Sequence, residues 1–97
     1  MSTEPDIRRE THAGGGRYLL ARDGAEAELT WTVIGPGKIS ADHTGVPKSM
    51  SGTGVGLALV ERLVSDARRD GNTVVPVCSF VSAMARRHPE WADVIAQ

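Results

Sequence analysis

Polar and apolar residues alternate strictly over residues 26–33. Ala27, Leu29, Trp31 and Val33 fall on one side, and Glu26, Glu28, Thr30 and Thr32 on the other. A period of two is that of a strand with one buried face. Asp23-Gly24 just ahead is a tight-turn pair, and the short apolar run within Arg17–Arg22 predicts the partner strand. Gly35-Pro36-Gly37 forces another reversal, after which Lys38–Thr44 resumes extended structure with Ile39, Ala41 and His43 on one face. The N-terminal half therefore predicts an antiparallel meander. Met1 to about Gly16 mixes charge, Pro5 and the Gly14-Gly15-Gly16 triplet; it reads as a frayed lead-in, flexible over residues 1–6, with an early strand at Ile7–His12.

The period then changes. Val55, Leu59, Val60, Leu63, Val64 and Ala67 recur at three- and four-residue spacing, opposite Glu61, Arg62, Asp66, Arg68, Arg69 and Asp70. This is an amphipathic helix with a solvated charged face, and Gly71 suits its end. Thr73–Val77 reads as a buried strand, so strand, helix and strand imply a crossover and a parallel pairing. Pro76 has no amide hydrogen, which predicts a missing ladder bond and a cleft where the two strands part. Ser79 is a candidate cap for a second helix over Phe80–Arg87, ended by Pro89, and Trp91, Val94 and Ile95 form a last apolar turn. With no repeats or interior boundaries, residues 1–97 read as one domain.

Between the two halves runs Val46-Pro47-Lys48-Ser49-Met50-Ser51-Gly52-Thr53-Gly54-Val55-Gly56. Three alternate glycines let the backbone turn tightly and a ligand approach closely. The first amides of a helix lack intrahelical acceptors and carry the positive end of its dipole, a setting suited to phosphate. The Walker pattern is absent. The loop is G-x-G-x-G rather than G-x-G-x-x-G, and the next strand ends in Val77-Cys78 rather than an acid, so a dinucleotide fold does not fit either.

Composition narrows the field. Apolar residues make up 40% and charged residues 24%, as in a soluble globular protein. A net charge of −1 and 4% aromatics argue against a nucleic-acid surface. No apolar run reaches membrane-spanning length, no secretory leader is evident, and Cys78 has no internal disulfide partner, so a cytoplasmic location is expected. Cys78 and the three histidines show no metal-ligand spacing.

A meander, a glycine loop, one helix and a splayed strand ending in a reactive side chain resemble the GNAT superfamily of acyl-CoA N-acetyltransferases, in particular its miniature single-domain YjdJ-type branch. His43-Thr44-Gly45-Val46-Pro47, Ser51–Gly56, Val75-Pro76-Val77-Cys78-Ser79-Phe80 and Arg87-His88-Pro89-Glu90-Trp91 carry the resemblance, in order, over Lys38 to Ile95. It implies an α/β (α+β) fold: a mainly antiparallel sheet of about five strands, a splayed parallel pair, and two to three helices. It also implies acetyl-CoA or coenzyme A as cofactor, its pyrophosphate on Gly52, Thr53, Gly54, Val55 and Gly56. The pantetheine arm would lie between the parallel strands, and amides near Thr44, Gly45 and Val46 would polarise the thioester carbonyl. The family's usual Arg or Gln at the first loop position is Ser51 here, with Lys48 a candidate substitute, and Met84 stands where an aromatic is common. Phe80, Met84, Arg87 and His88 join the cofactor-side candidates.

Cys78 and His43 are the catalytic candidates. Cys78 ends a strand before a helix N-terminus, which favours its thiolate; covalent acetyl transfer, protonation of departing CoA and simple cleft lining are its three readings. His43 is either a hydrogen-bonded core residue or a base. Arg87 and His88 either complement a helix C-terminus or meet the cofactor. Trp31 and Trp91 read as core. The expected function is acetyl transfer to an amine (small molecule, polyamine or protein lysine) by direct attack in a ternary complex, in a monomer or weak dimer. A non-catalytic CoA-binding module and an interaction domain without cofactor are the competing readings.

Overall fold

Three two-residue turns fold the first half of the chain into a meander of four antiparallel strands, β1 (Ile7–His12), β2 (Gly15–Arg22), β3 (Ala25–Gly35) and β4 (Lys38–Gly45). At the β2–β3 turn Asp23 and Gly24 both have positive φ, 51° and 80°, the backbone twist that matches two paired strands. Helix α1 (Val55–Asp70) then crosses over to β5 (Thr73–Pro76), which lies parallel to β4. Helix α2 (Ser79–Arg87) follows, and short 3-10 turns lie at Lys48–Met50 and Pro89–Trp91. The strand order is the chain order, β1-β2-β3-β4-β5. In this computed structural model residues 6–96 are described, so the expected flexible tail falls mostly outside them.

The lead-in is more ordered than its glycines suggest. Gly15 and Gly16 already belong to β2, paired with His12 and Thr11. A Cβ on Gly16 would come within 2.8 Å of the Trp31 ring, so its lack of a side chain makes room for the indole.

One hydrophobic cluster unites the sheet with α1. Leu59, Leu63, Val60, Val64 and Ala67 pack on Tyr18, Leu20, Ala27, Leu29, Trp31, Ile39 and Ala41; Val81, Ala85, Trp91, Val94 and Ile95 extend the cluster past β5. Both tryptophans are core, as expected. Gly71 ends α1 with the paired bonds of a Schellman motif, Gly71 N–H to Arg68 O and Asn72 N–H to Ala67 O. The outer edge of β5 is sealed: Val74 N–H donates to Val94 O and Ala96 N–H to Val74 O, each at 2.8 Å. No helix among the described residues is long and apolar enough to cross a membrane.

Asp66 departs from its expected place on a solvated face, because it lies seven residues after Leu59 and three after Leu63, in the apolar stripe. It is buried and accepts a 2.9 Å hydrogen bond from the Tyr18 hydroxyl. Guanidinium nitrogens of Arg9 (3.4 Å), Arg62 (3.1 Å) and Arg69 (3.4 Å) surround it. Two of the arginines expected on a purely solvated face, Arg62 and Arg69, therefore converge on a buried carboxylate, while Arg68 pairs with Asp93 at 2.8 Å. Burial first, and then the bond to Asp66, hold the Tyr18 phenol well above the usual tyrosine range.

Candidate active site

The site begins with an extra residue in β4. Trp31 lies opposite Ala41, yet Thr30 lies opposite His43, so Asp42 is unmatched and forms a β-bulge. The Ser40 hydroxyl holds it with a 2.7 Å bond and the Thr32 hydroxyl with another. A one-residue insertion exchanges the two faces of everything beyond it. Ile39 and Ala41 are buried, but His43 is exposed beside Thr30 on the face away from α1. The expectation that His43 shares a face with Ile39 and Ala41 is thus corrected. Thr44, opposite the buried Leu29, is the residue turned toward the helices.

Beyond this bulge the parallel strands part, though Pro76 does so in a different way from the expected one. Thr73 N–H donates to Gly37 O on the β4 side, whereas Val74 N–H donates outward to Val94 O. By alternation the nitrogen of Pro76 also points outward, so its missing hydrogen costs no bond to β4. What frees the strand is a three-residue turn about Pro76, closed by Val77 N–H to Val75 O at 3.0 Å. Val77 is thrown outward, 65% exposed. Cys78 N–H then donates to Ala41 O at 2.8 Å, the last backbone–backbone tie to β4. The strand therefore stops at Pro76, and Asp42–Gly45 runs on beyond its neighbour.

Cys78 itself, not Ser79, occupies the N-cap of α2, and no side chain caps that end. Its Sγ lies 3.5 Å from Thr44 Oγ1. Burial alone would push the thiol up; the Thr44 hydroxyl, the Val81 and Phe80 amides at the start of α2 and the Thr44 backbone outweigh burial and hold it below the usual cysteine value.

The glycine loop leads from β4 into α1. Buried Met50 anchors the Lys48–Met50 turn, and Gly52 and Gly54 follow with φ of 78° and 83°, conformations that favour glycine. Open space surrounds both α-carbons. Thr53 braces the loop from within: its amide and its hydroxyl both donate to Met50 O, so it offers neither to a ligand. Among the described residues no protein acceptor takes the amide hydrogens of Gly52, Gly54, Val55, Gly56 and Leu57, and α1 has no side-chain cap. Lys48 and Ser51 are exposed on the same loop. The missing side chain of Gly56 makes room for packing, since a Cβ there would lie 2.6 Å from the tip of the Phe80 ring.

Phe80 thereby joins the start of α1 to the start of α2. Met84 and Arg87 follow it at helical spacing, opposite the buried Val81 and Ala85. His88 is committed elsewhere: its ring stacks on Trp91 with centroids 4.2 Å apart, and Nδ1 lies 2.9 Å from a Glu90 carboxylate oxygen. Gly45, Val46 and Pro47, all half-buried, carry β4 into the loop. The structure brings Cys78 against Thr44 and Phe80 against Gly56 at the end of the loop, and it places His43 on the other face of β4. The Thr44 side chain was beyond sequence reasoning, because only the bulge turns it inward.

The residues around this site have relatives. A family model for the GCN5-related N-acetyltransferases matches residues 17–94, which takes in the meander, the loop and both helices. The solution structure of a Staphylococcus aureus protein described as a "GCN5-like putative N-acetyltransferase" superposes with a TM-score of 0.76 at 27% identity, covering 97% of this chain and 90% of that one. No curated protein matches the chain. With the family match spanning most of the sequence and the five-stranded fold shared, the chain belongs to the GCN5-related N-acetyltransferase family.

Proposed function

We propose that this protein transfers an acetyl group from acetyl-CoA to an amine. The observation that carries the reading is that Phe80, packed on Gly56, links free loop amides at the start of α1 to a thiol at the start of α2 that is held below its ordinary pKa. The residues present fit the cofactor, since an open cradle of unpartnered amides at a helix start suits a pyrophosphate. Gly52, Gly54, Val55 and Gly56 would hold it through backbone N–H groups, with Lys48 supplying the charge that Ser51 lacks. The β4 segment from Asp42 to Gly45 would bind the pantetheine amides, and exposed Val77 and Phe80 would cover its apolar segments. When bound, acetyl-CoA supplies an activated acyl thioester.

The remaining chemistry falls to the chain. His43, on the far face of β4, would accept a proton from the incoming ammonium at a ring nitrogen and release the neutral amine for attack. Cys78 would give its Sγ proton to the departing CoA sulfur and recover one from solvent or from the spent amine. Incubating the protein with acetyl-CoA and a panel of polyamine, lysine peptide and small amine acceptors, with detection of free CoA thiol, tests this directly. Amine-dependent thiol release, abolished or strongly slowed in Cys78→Ala, is expected. Calorimetric binding of CoA without release by any acceptor would assign a CoA-binding module instead, and an unchanged rate in Cys78→Ala would remove the acid role.

A further inference from the structure

We infer that the Thr44 side chain is a positioning residue for Cys78, setting where its sulfur sits and what charge it carries. The inference rests on Cys78 acting in the proposed transfer, and three independent constraints converge on it. The Asp42 bulge turns Thr44 toward the helices rather than away from them. The bond from Cys78 N–H to Ala41 O fixes the cysteine backbone against β4 three residues before Thr44. The two side chains then meet at 3.5 Å across the gap that the Pro76 turn has opened. Thr44 is β-branched and half-buried, so its hydroxyl has few orientations, and its hydroxyl makes no other side-chain hydrogen bond among the described residues.

This arrangement gives the hydroxyl two states that follow the proton. With Cys78 neutral, the thiol hydrogen points toward Oγ1. Once that proton has moved to the CoA sulfur, the electron pair of the S–H bond stays on Cys78, and the Thr44 O–H turns to donate to the thiolate. The Phe80 and Val81 amides at the start of α2 approach the same sulfur. Thr44 touches neither the acyl carbon nor the amine in this scheme; it acts through the sulfur.

The test uses the whole protein and reads thiol chemistry apart from turnover. Iodoacetamide alkylation of Cys78, followed by mass spectrometry from about pH 5 to about pH 10, on either side of the ordinary thiol range, is compared for wild type, Thr44→Val and Thr44→Ser. Thr44→Val keeps the shape and removes the hydroxyl, so its alkylation midpoint moves to higher pH. At neutral pH the smaller thiolate fraction is only partly offset by the greater nucleophilicity of a less acidic thiol, so alkylation is slower than in wild type. Thr44→Ser restores the wild-type midpoint. A Thr44→Val midpoint equal to that of wild type, in a variant whose circular dichroism shows it folded, overturns the inference, as does a Thr44→Ser midpoint that follows Thr44→Val. If Thr44→Val does not fold, Thr44→Ala carries the same comparison. Failure of the transfer reading shows up separately, as an undiminished rate in Cys78→Ala with the Thr44 effect on alkylation intact.

Discussion

Replacing Asp66 by alanine tests how α1 is fastened to the sheet, and therefore what holds the glycine loop at its start. The carboxylate is 5% exposed, while the side chains of Arg9, Arg62 and Arg69 are 28%, 37% and 62% exposed. Removal orphans the buried Tyr18 hydroxyl, a cost of about 1–3 kcal/mol. Breaking a fully buried ion pair costs about 3–5 kcal/mol, but these arginines can turn to water, which reduces the ionic part to about 1 kcal/mol. The sum is about 3 kcal/mol, which for a domain of this size lowers Tm by about 12–20 °C. Urea unfolding with an unchanged m-value measures it. Tyr18→Phe in the Asp66→Ala background removes the orphan, so it costs at least about 1 kcal/mol less there than in wild type. A Tm drop under about 4 °C, or equal costs of Tyr18→Phe in both backgrounds, refutes the reasoning.

Three further outcomes follow from the same geometry. The raised Tyr18 pKa means the unfolded chain loses its phenolic proton first; its contribution is complete below the ordinary tyrosine pKa and declines as pH rises past about 10. Denaturation at pH 8 and 10.5 (~values either side of that pKa) should show this decline shrinking in Tyr18→Phe. Gly54→Ala meets no neighbour, so its cost is the left-handed backbone alone, about 1–2 kcal/mol, read as a lower Tm together with weaker CoA binding by calorimetry. Ser51→Arg should tighten CoA about tenfold at low salt, with the gain fading toward 1 M salt (~3 Å screening length), whereas Lys48→Ala weakens binding; unchanged affinities would take both residues off the phosphate.

The elements were legible where one period governs a whole segment. Ala27 to Val33 alternates without a break, and Val55 to Ala67 keeps a helical stripe, so strands, helix and crossover follow from the pattern. What the pattern misses are single-residue exceptions. Asp42 carries no glycine or proline to mark a bulge; hydroxyls of Thr32, on the next strand, and Ser40 hold it, and pairing across strands is invisible in one chain. His43 and Thr44 exchanged faces for that reason alone. Pro76 marks the end of β5, but which way its nitrogen points depends on the register with Lys38–Ala41. Asp66 was within reach of the sequence, since its spacing from Leu59 and Leu63 put it in the buried stripe, but its charge suggested a solvated face. The loop was read correctly as a cradle of free amides, while the internal bond of Thr53 and the packing role of Gly56 needed coordinates.

The strand order has a consequence for how the candidate site opens and closes. Each of β1 to β4 is joined to the next by a two-residue turn, so these pairings are local in sequence, and only β4–β5 must be closed through the whole of α1. Loop-closure entropy makes that joint the costliest of the four to close. The candidate site lies across it, with Thr44 on the meander and Cys78 just beyond β5. Amides of β5 and the first turn of α2 should therefore exchange with deuterium through a sub-global opening that leaves the β2–β3 amides protected. A ligand bridging Thr44 and the Cys78 segment would slow that exchange selectively.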